Sequence, residues 1–211
     1  PNGPQHVLYV DYEMTTADVQ DRLTDMGYGP DDDFTHLHYY SLPSIAILDS
    51  AEGGAELLEL AHEEQARLVV IDTISRIVGG EENANDTAIA FARHTGIPLK
   101  AAGITLLRID HAGKDLEKGA RGGSAKNDDV DVVWRLIARD RHAYTLQATH
   151  RRLGWIPQQV ELEQHTEPCL SYTTTGPTWP AGTADAAALL DRLEVPLEWG
   201  RPRVRGVLKE H

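Results

Sequence analysis

Three apolar runs in this chain each end in side chains that can do chemistry. Val7-Leu8-Tyr9-Val10 leads into Asp11 and Glu13, and Leu68-Val69-Val70-Ile71 into Asp72 and Thr73. Ile104-Thr105-Leu106-Leu107-Arg108-Ile109 leads into Asp110 and His111. A carboxylate at the end of a buried strand can hold the water shell of a Mg²⁺ ion on nucleotide phosphates. A second carboxylate beside it can polarise an attacking water. Asp72 is therefore the candidate metal residue and Glu13 the candidate base, with Asp11 and Thr73 as neighbours that could face the ligand. His111 and Lys114 follow the third run and could contact a phosphate. One such run says little, because Asp after a buried strand often only caps the next turn. Three sharing one edge of a parallel sheet say more, since ligands bind in the crevice outside those strand ends.

The stretch Lys114–Asp131 sets Lys114, Lys118, Arg121 and Lys126 among glycines and small residues. A basic loop of this kind can stabilise the charge of phosphoryl transfer, even across a subunit boundary. It can equally be a surface loop whose cations pair with Asp115, Glu117, Asp128 and Asp129. His36-x-His38 would share one strand face, but the nearby sequence offers no third metal ligand. Asp31-Asp32-Asp33 lacks the glycine and terminal Glu of a calcium loop and reads as a solvated turn.

The elements that must position these residues alternate. Strands are expected at 7–10, 36–40, 68–72 and 104–111, and helices from Thr15 or Thr16 to Met26, at 52–66 and at 84–95. Pro98 leaves the continuation of the third helix open, with a further turn possible at 99–102. Strand, helix, strand is the signature of an α/β fold with a mostly parallel sheet flanked by helices. Beyond residue 130 the runs at 130–137, 143–149, 159–162 and 170–173 are short and partly alternating. They are expected as antiparallel strands at one edge of that sheet. The expected organisation is a main domain over 1–172, a linker over 173–183 and a short helical module over 184–211, resembling part of a helix-turn-helix or winged helix.

Composition narrows the partners. The 211 residues carry a formal net charge of −13, so the whole chain repels nucleic acid at long range. Arg201, Arg203, Arg205 and Lys209 nevertheless cluster near the C-terminus, where a local DNA contact could form. The single Cys169 excludes an internal disulfide and any multi-cysteine metal site, which fits a cytoplasmic setting. No apolar run approaches the roughly 20 residues of a membrane span.

Taken in order, VLYVDYEM, LVVIDTISRIVGGEENANDT, GITLLRIDHAGKD and KGARGGSAKNDDVDVVWRL resemble a known family. They are similar to the RecA-like P-loop ATPases of the RepA-type hexameric replicative helicase group, in the versions found in actinobacteria and their phages. The resemblance covers about residues 5–172. It implies ATP and Mg²⁺ held at the C-terminal edge of a RecA-like sheet and at a subunit interface. It further implies a catalytic Glu13, a Walker B Asp72, a phosphate sensor at His111 with Lys114, and Arg121 or Lys126 acting in trans. A homo-oligomeric ring working on DNA in the cytoplasm would follow.

One family feature is missing. Residues 1–211 contain no G-x-x-x-x-G-K-[ST] loop, whose backbone N–H groups and lysine supply most phosphate binding. The expectation is an N-terminally incomplete core, inactive or nearly so alone, with an apolar sheet edge left open.

Overall fold

The computed structural model describes residues 3–81, 84–111, 129–175, 182–196 and 199–210. The chain divides into two compact units, Pro1–Val130 with Thr166–Ser171, and Asp131–His165 with Tyr172–His211.

The first unit is built on a parallel sheet. Its strands are β1 (Val7–Asp11), β2 (Leu37–Ser41), β3 (Leu68–Asp72) and β4 (Thr105–Arg108), in the order β2-β1-β3-β4. Asp11 is in register with Ser41 on one side and Asp72 on the other, so the two acids end level. Val69, Val70 and Ile71 are all buried, as an unmixed apolar run in a parallel sheet requires.

Helices α1 (Thr16–Asp25) and α2 (Ala51–Glu63) make the first two crossovers. Thr15 caps α1 in a reciprocal box with Asp18: the Asp18 N–H donates to Thr15 Oγ1 and the Thr15 N–H to Asp18 Oδ2. Helix α2 carries the core, burying Leu57 and Ala61 against Leu8, Val10, Leu48 and Ile71. Each large aliphatic side chain so buried contributes about 1.5–3 kcal/mol.

The third crossover continues through Pro98. Helix α3 (Asn85–Phe91) passes into a π-helical turn, Ala92–Gly96, and on into α4 (Ile97–Ala101). Proline has no N–H for the carbonyl four residues back and its ring collides with that group in a regular helix. The wider turn relieves the conflict: the Ile97 N–H bonds to Ala92 O, and the carbonyl of His94 is left to face α2. It comes so close that a Cβ at Gly54 would lie 1.9 Å from His94 O. The Thr95 hydroxyl completes the junction by donating to Leu48 O at 2.6 Å.

The second unit holds β5 (Val132–Ala138), β6 (Ala143–Arg151), β7 (Gln159–His165) and β8 (Ser171–Thr175), in sequence order, with β5–β6 and β6–β7 paired antiparallel. These strands form a sheet of their own rather than extending the parallel one. Adjacent hairpins satisfy one another's backbone groups, so such strands need no parallel edge to pair with. Strand β8 runs to Thr175, into the stretch expected as linker. Helices α5 (Thr183–Arg192) and α6 (Arg201–Glu210) follow. Among the described residues no helix is long and apolar enough to cross a membrane.

Candidate nucleotide site at the ends of β1 and β3

From β1 the chain crosses to β2 on one side, and from β3 it crosses to β4 on the other. The crevice between the C-terminal ends of β1 and β3 is therefore the topological switch point of the sheet. The loops after these two strands carry the candidate acids.

Asp11 is fully buried. Its Oδ1 accepts the backbone N–H of Glu13 at 2.7 Å and of Met14 at 2.9 Å, and its Oδ2 accepts the Tyr39 hydroxyl. The carboxylate is thus committed to the loop that presents Glu13. Thr73, also fully buried, donates its hydroxyl to Ile109 O at 2.9 Å, and the Ile74 N–H reaches the same carbonyl at 3.0 Å. That clamp ties the end of β3 to the segment carrying Asp110 and His111. Asp11 and Thr73 were expected to face a ligand; both instead spend their polar atoms inside the protein and act as positioning residues. A buried polar group is satisfied by such partners or costs stability, so neither is left over for solvent.

Glu13, Asp72 and His111 are brought together. Glu13 Oε1 lies 3.0 Å from His111 Nε2 and 3.9 Å from Arg76 Nε. The His111 imidazole titrates above its ordinary range, first through the hydrogen bond to Glu13, then through that carboxylate's charge, with smaller contributions from Asp110 and Asp72. Asp72 is partly exposed, and its Oδ2 accepts the Tyr9 hydroxyl at 2.9 Å. Tyr9 and Tyr39 are register partners whose rings stack at 4.9 Å, so one aromatic pair steadies both strand-end carboxylates. Burial, followed by the hydrogen bonds to Asp72 and Asp11, pushes both phenols far up, and they remain neutral donors. Lys114, Arg121 and Lys126 lie outside the described residues.

Tyr9, Tyr39 and Arg76 are the contributors that the strand-end pattern did not single out. Their signals were present in retrospect: alternation places Tyr9 two residues before Asp11, and Arg76 stands four residues after Asp72.

Among the described residues no group of three or more His, Cys, Asp or Glu side chains is arranged to hold a metal ion. Mg²⁺ on a nucleotide needs no such cage, because phosphate oxygens and water complete the shell around one or two carboxylates. Asp72, with Oδ1 making no hydrogen bond among the described residues, suits that role. Mg²⁺-ATP, when bound, would supply the phosphoryl group and neutralise its charge.

No curated protein matches the chain. A family model described as an AAA domain matches residues 1–117, which span the parallel sheet together with Glu13, Asp72 and His111. More than half of the chain is covered by that match, and the protein belongs to the AAA-domain family of P-loop ATPases.

Proposed function

We propose that this chain supplies the hydrolysis and sensing side of an ATPase site in a helicase or helicase loader of the RepA-type group, working on DNA as a homo-oligomeric ring. The observation that carries the reading is the grouping of Glu13 and His111, 3.0 Å apart, with the partly exposed Asp72 at the switch point. In this reading Asp72 orients metal-bound water, and Glu13 accepts the proton of the attacking water. His111 and Arg76 share Glu13 and let go of it when a phosphate competes for them. Lys114, with Arg121 or Lys126, meets the phosphates from the same or a neighbouring subunit.

The phosphate cradle comes from outside residues 1–211 in this reading. Strand β4 ends the parallel sheet among the described residues, with Leu107 48% and Ile109 37% exposed, which suits the addition of a further strand there. The basic residues near the C-terminus, including the exposed Arg203 and Arg205, are the proposed DNA contact.

Mg²⁺-dependent ATP hydrolysis by the complete gene product, compared with Asp72→Ala, tests the assignment. A loss of about 100-fold or more is expected in the variant. Residues 1–211 alone should hydrolyse ATP no faster than buffer. Full activity in the variant would remove Asp72 from the mechanism; hydrolysis by residues 1–211 alone would remove the external cradle.

The pairing of Glu13 with both His111 and Arg76 also suits a second reading, a non-catalytic assembly subunit with its base locked away. ATP binding to residues 1–211 that Asp72→Ala abolishes would count against it.

A further inference from the structure

The opposite end of the parallel sheet gathers titratable groups that hydrolysis does not use. His6 immediately precedes β1, His36 immediately precedes β2, His38 lies within β2, and Glu64 is the C-cap of α2. Pairing of Val7 with Leu37 and Leu8 with His38 brings the three imidazoles together. His36 Nδ1 lies 3.2 Å from His6 Nε2, and His6 Nδ1 lies 2.8 Å from His38 Nε2. His38 Nδ1 then lies 2.5 Å from Glu64 Oε2, and the Tyr40 hydroxyl donates to Glu64 Oε1 at 2.6 Å. The His6 ring stacks on His38 at 5.1 Å and meets His36 edge-on at 4.6 Å.

Hydrogen-bond counting fixes the protons. A neutral imidazole has one N–H and one lone pair, and an ionised carboxylate only accepts. His38 must therefore carry its proton on Nδ1, facing Glu64, and its Nε2 accepts from His6 Nδ1–H. His6 Nε2 is left to accept from His36 Nδ1–H. Every contact is satisfied in this one direction, towards Glu64. The Tyr40 phenol is pushed up to about 12, first by its hydrogen bond to Glu64 and then by burial, and stays a donor.

An added proton can cross this chain. It binds His36 Nε2; the His36 Nδ1 proton moves to His6 Nε2; the His6 Nδ1 proton moves to His38 Nε2. Three N–H bonds form and two break, the added proton supplying the difference, and the charge comes to rest on His38 against Glu64. Both imidazole–imidazole contacts are again donor to acceptor, now reversed, while His38 Nδ1–H still donates to Glu64. A second proton finds no such arrangement, because it sets two N–H groups facing each other within the chain. A metal ion suits the cluster poorly, because His6 spends its two nitrogens on different rings and no three donors face a common point.

We infer that His6, His36, His38 and Glu64 form a single-proton site, a relay that joins the starts of β1 and β2 to the end of α2. Glu63 acts on Tyr40 from α2, Asp33 interacts with His36 from the loop ahead of β2, and the Arg67 N–H holds the His6 carbonyl at 2.9 Å.

Imidazole ¹⁵N NMR of the protein between pH 8 and 5 tests this. At pH 8 all three rings should be Nδ1–H tautomers, and the three should report one shared protonation followed by a resisted one. His6→Gln keeps a donor and an acceptor but cannot pass a proton. It should uncouple the tautomer of His36 from that of His38. Glu64→Gln leaves every ring in place but removes the carboxylate that faces His38 Nδ1–H, so the shared proton should bind only at lower pH. Three independent titrations in the unmutated protein, or an Nε2–H tautomer at His38, would overturn the inference. So would stoichiometric Zn²⁺ binding that shifts all three rings at once.

Discussion

The two units of this chain are stabilised differently. The contiguous apolar core, from Leu8 to Ile104, lies entirely in the parallel unit. In the antiparallel unit Ile156 is the one buried apolar side chain among the described residues, while Leu136 is 61% and Trp155 63% exposed. That sheet has instead a polar centre. The Thr145 hydroxyl, fully buried, donates to Glu161 Oε2 at 2.7 Å and accepts Arg139 Nε–H at 3.0 Å. A dense core resists displacement and can hold catalytic carboxylates to the tolerance that chemistry demands. A sheet with one-sided, polar packing cannot do so equally well. The candidate residues Glu13, Asp72 and His111 all belong to the parallel unit.

Substitutions can break this contrast or sharpen it. Leu57→Ala, in the core of the first unit, should cost about 2–5 kcal/mol in urea unfolding, whereas Leu136→Ala should cost less than about 0.5 kcal/mol. Equal costs would show that the exposed sheet is packed after all. Thr145→Val should cost about 1–2 kcal/mol, because it strips partners from Glu161 and Arg139 without opening a cavity. The Glu161 carboxyl is held below its usual range by Thr145 and then Gln159, so its titration should also move up in that variant.

The smallest expected effect is at His111, whose side chain is 69% exposed. Its folded-state value is raised by Glu13, so the stabilisation from this pair is fully present below the unfolded histidine value and is lost as pH rises through the raised one. NMR titration of His111 should shift down towards the unperturbed range in Glu13→Gln. An unchanged titration would mean the pair does not persist in solution.

Much of the first unit was legible in the sequence, for identifiable reasons. Short unmixed apolar runs alternating with helical patterns read as buried parallel strands, and three of them ending in polar residues point to one edge, so β1, β3 and their carboxylates could be placed. What escaped depends on register and on pairs distant in sequence. The union of Tyr9 with Asp72, of Tyr39 with Asp11, and of His6 with His36 and His38 follows only once β1 is aligned on β2. The burial of Asp11 and Thr73 was hidden for the same reason, since a strand-end polar residue reads alike whether it faces ligand or loop. Alternation revealed β5–β8 as antiparallel but carries no information on which edge, if any, they join. Pro98 announced a helix break, and the π turn that absorbs it depends on the packing against Gly54.

The central claim is that Glu13 acts on the attacking water while Asp72 manages the metal. ATP binding and single-turnover hydrolysis by the complete gene product, measured side by side for Glu13→Gln, test it most directly. The account predicts binding within about threefold of the unmutated protein and hydrolysis slowed by about 100-fold or more. Hydrolysis at the unmutated rate would contradict it.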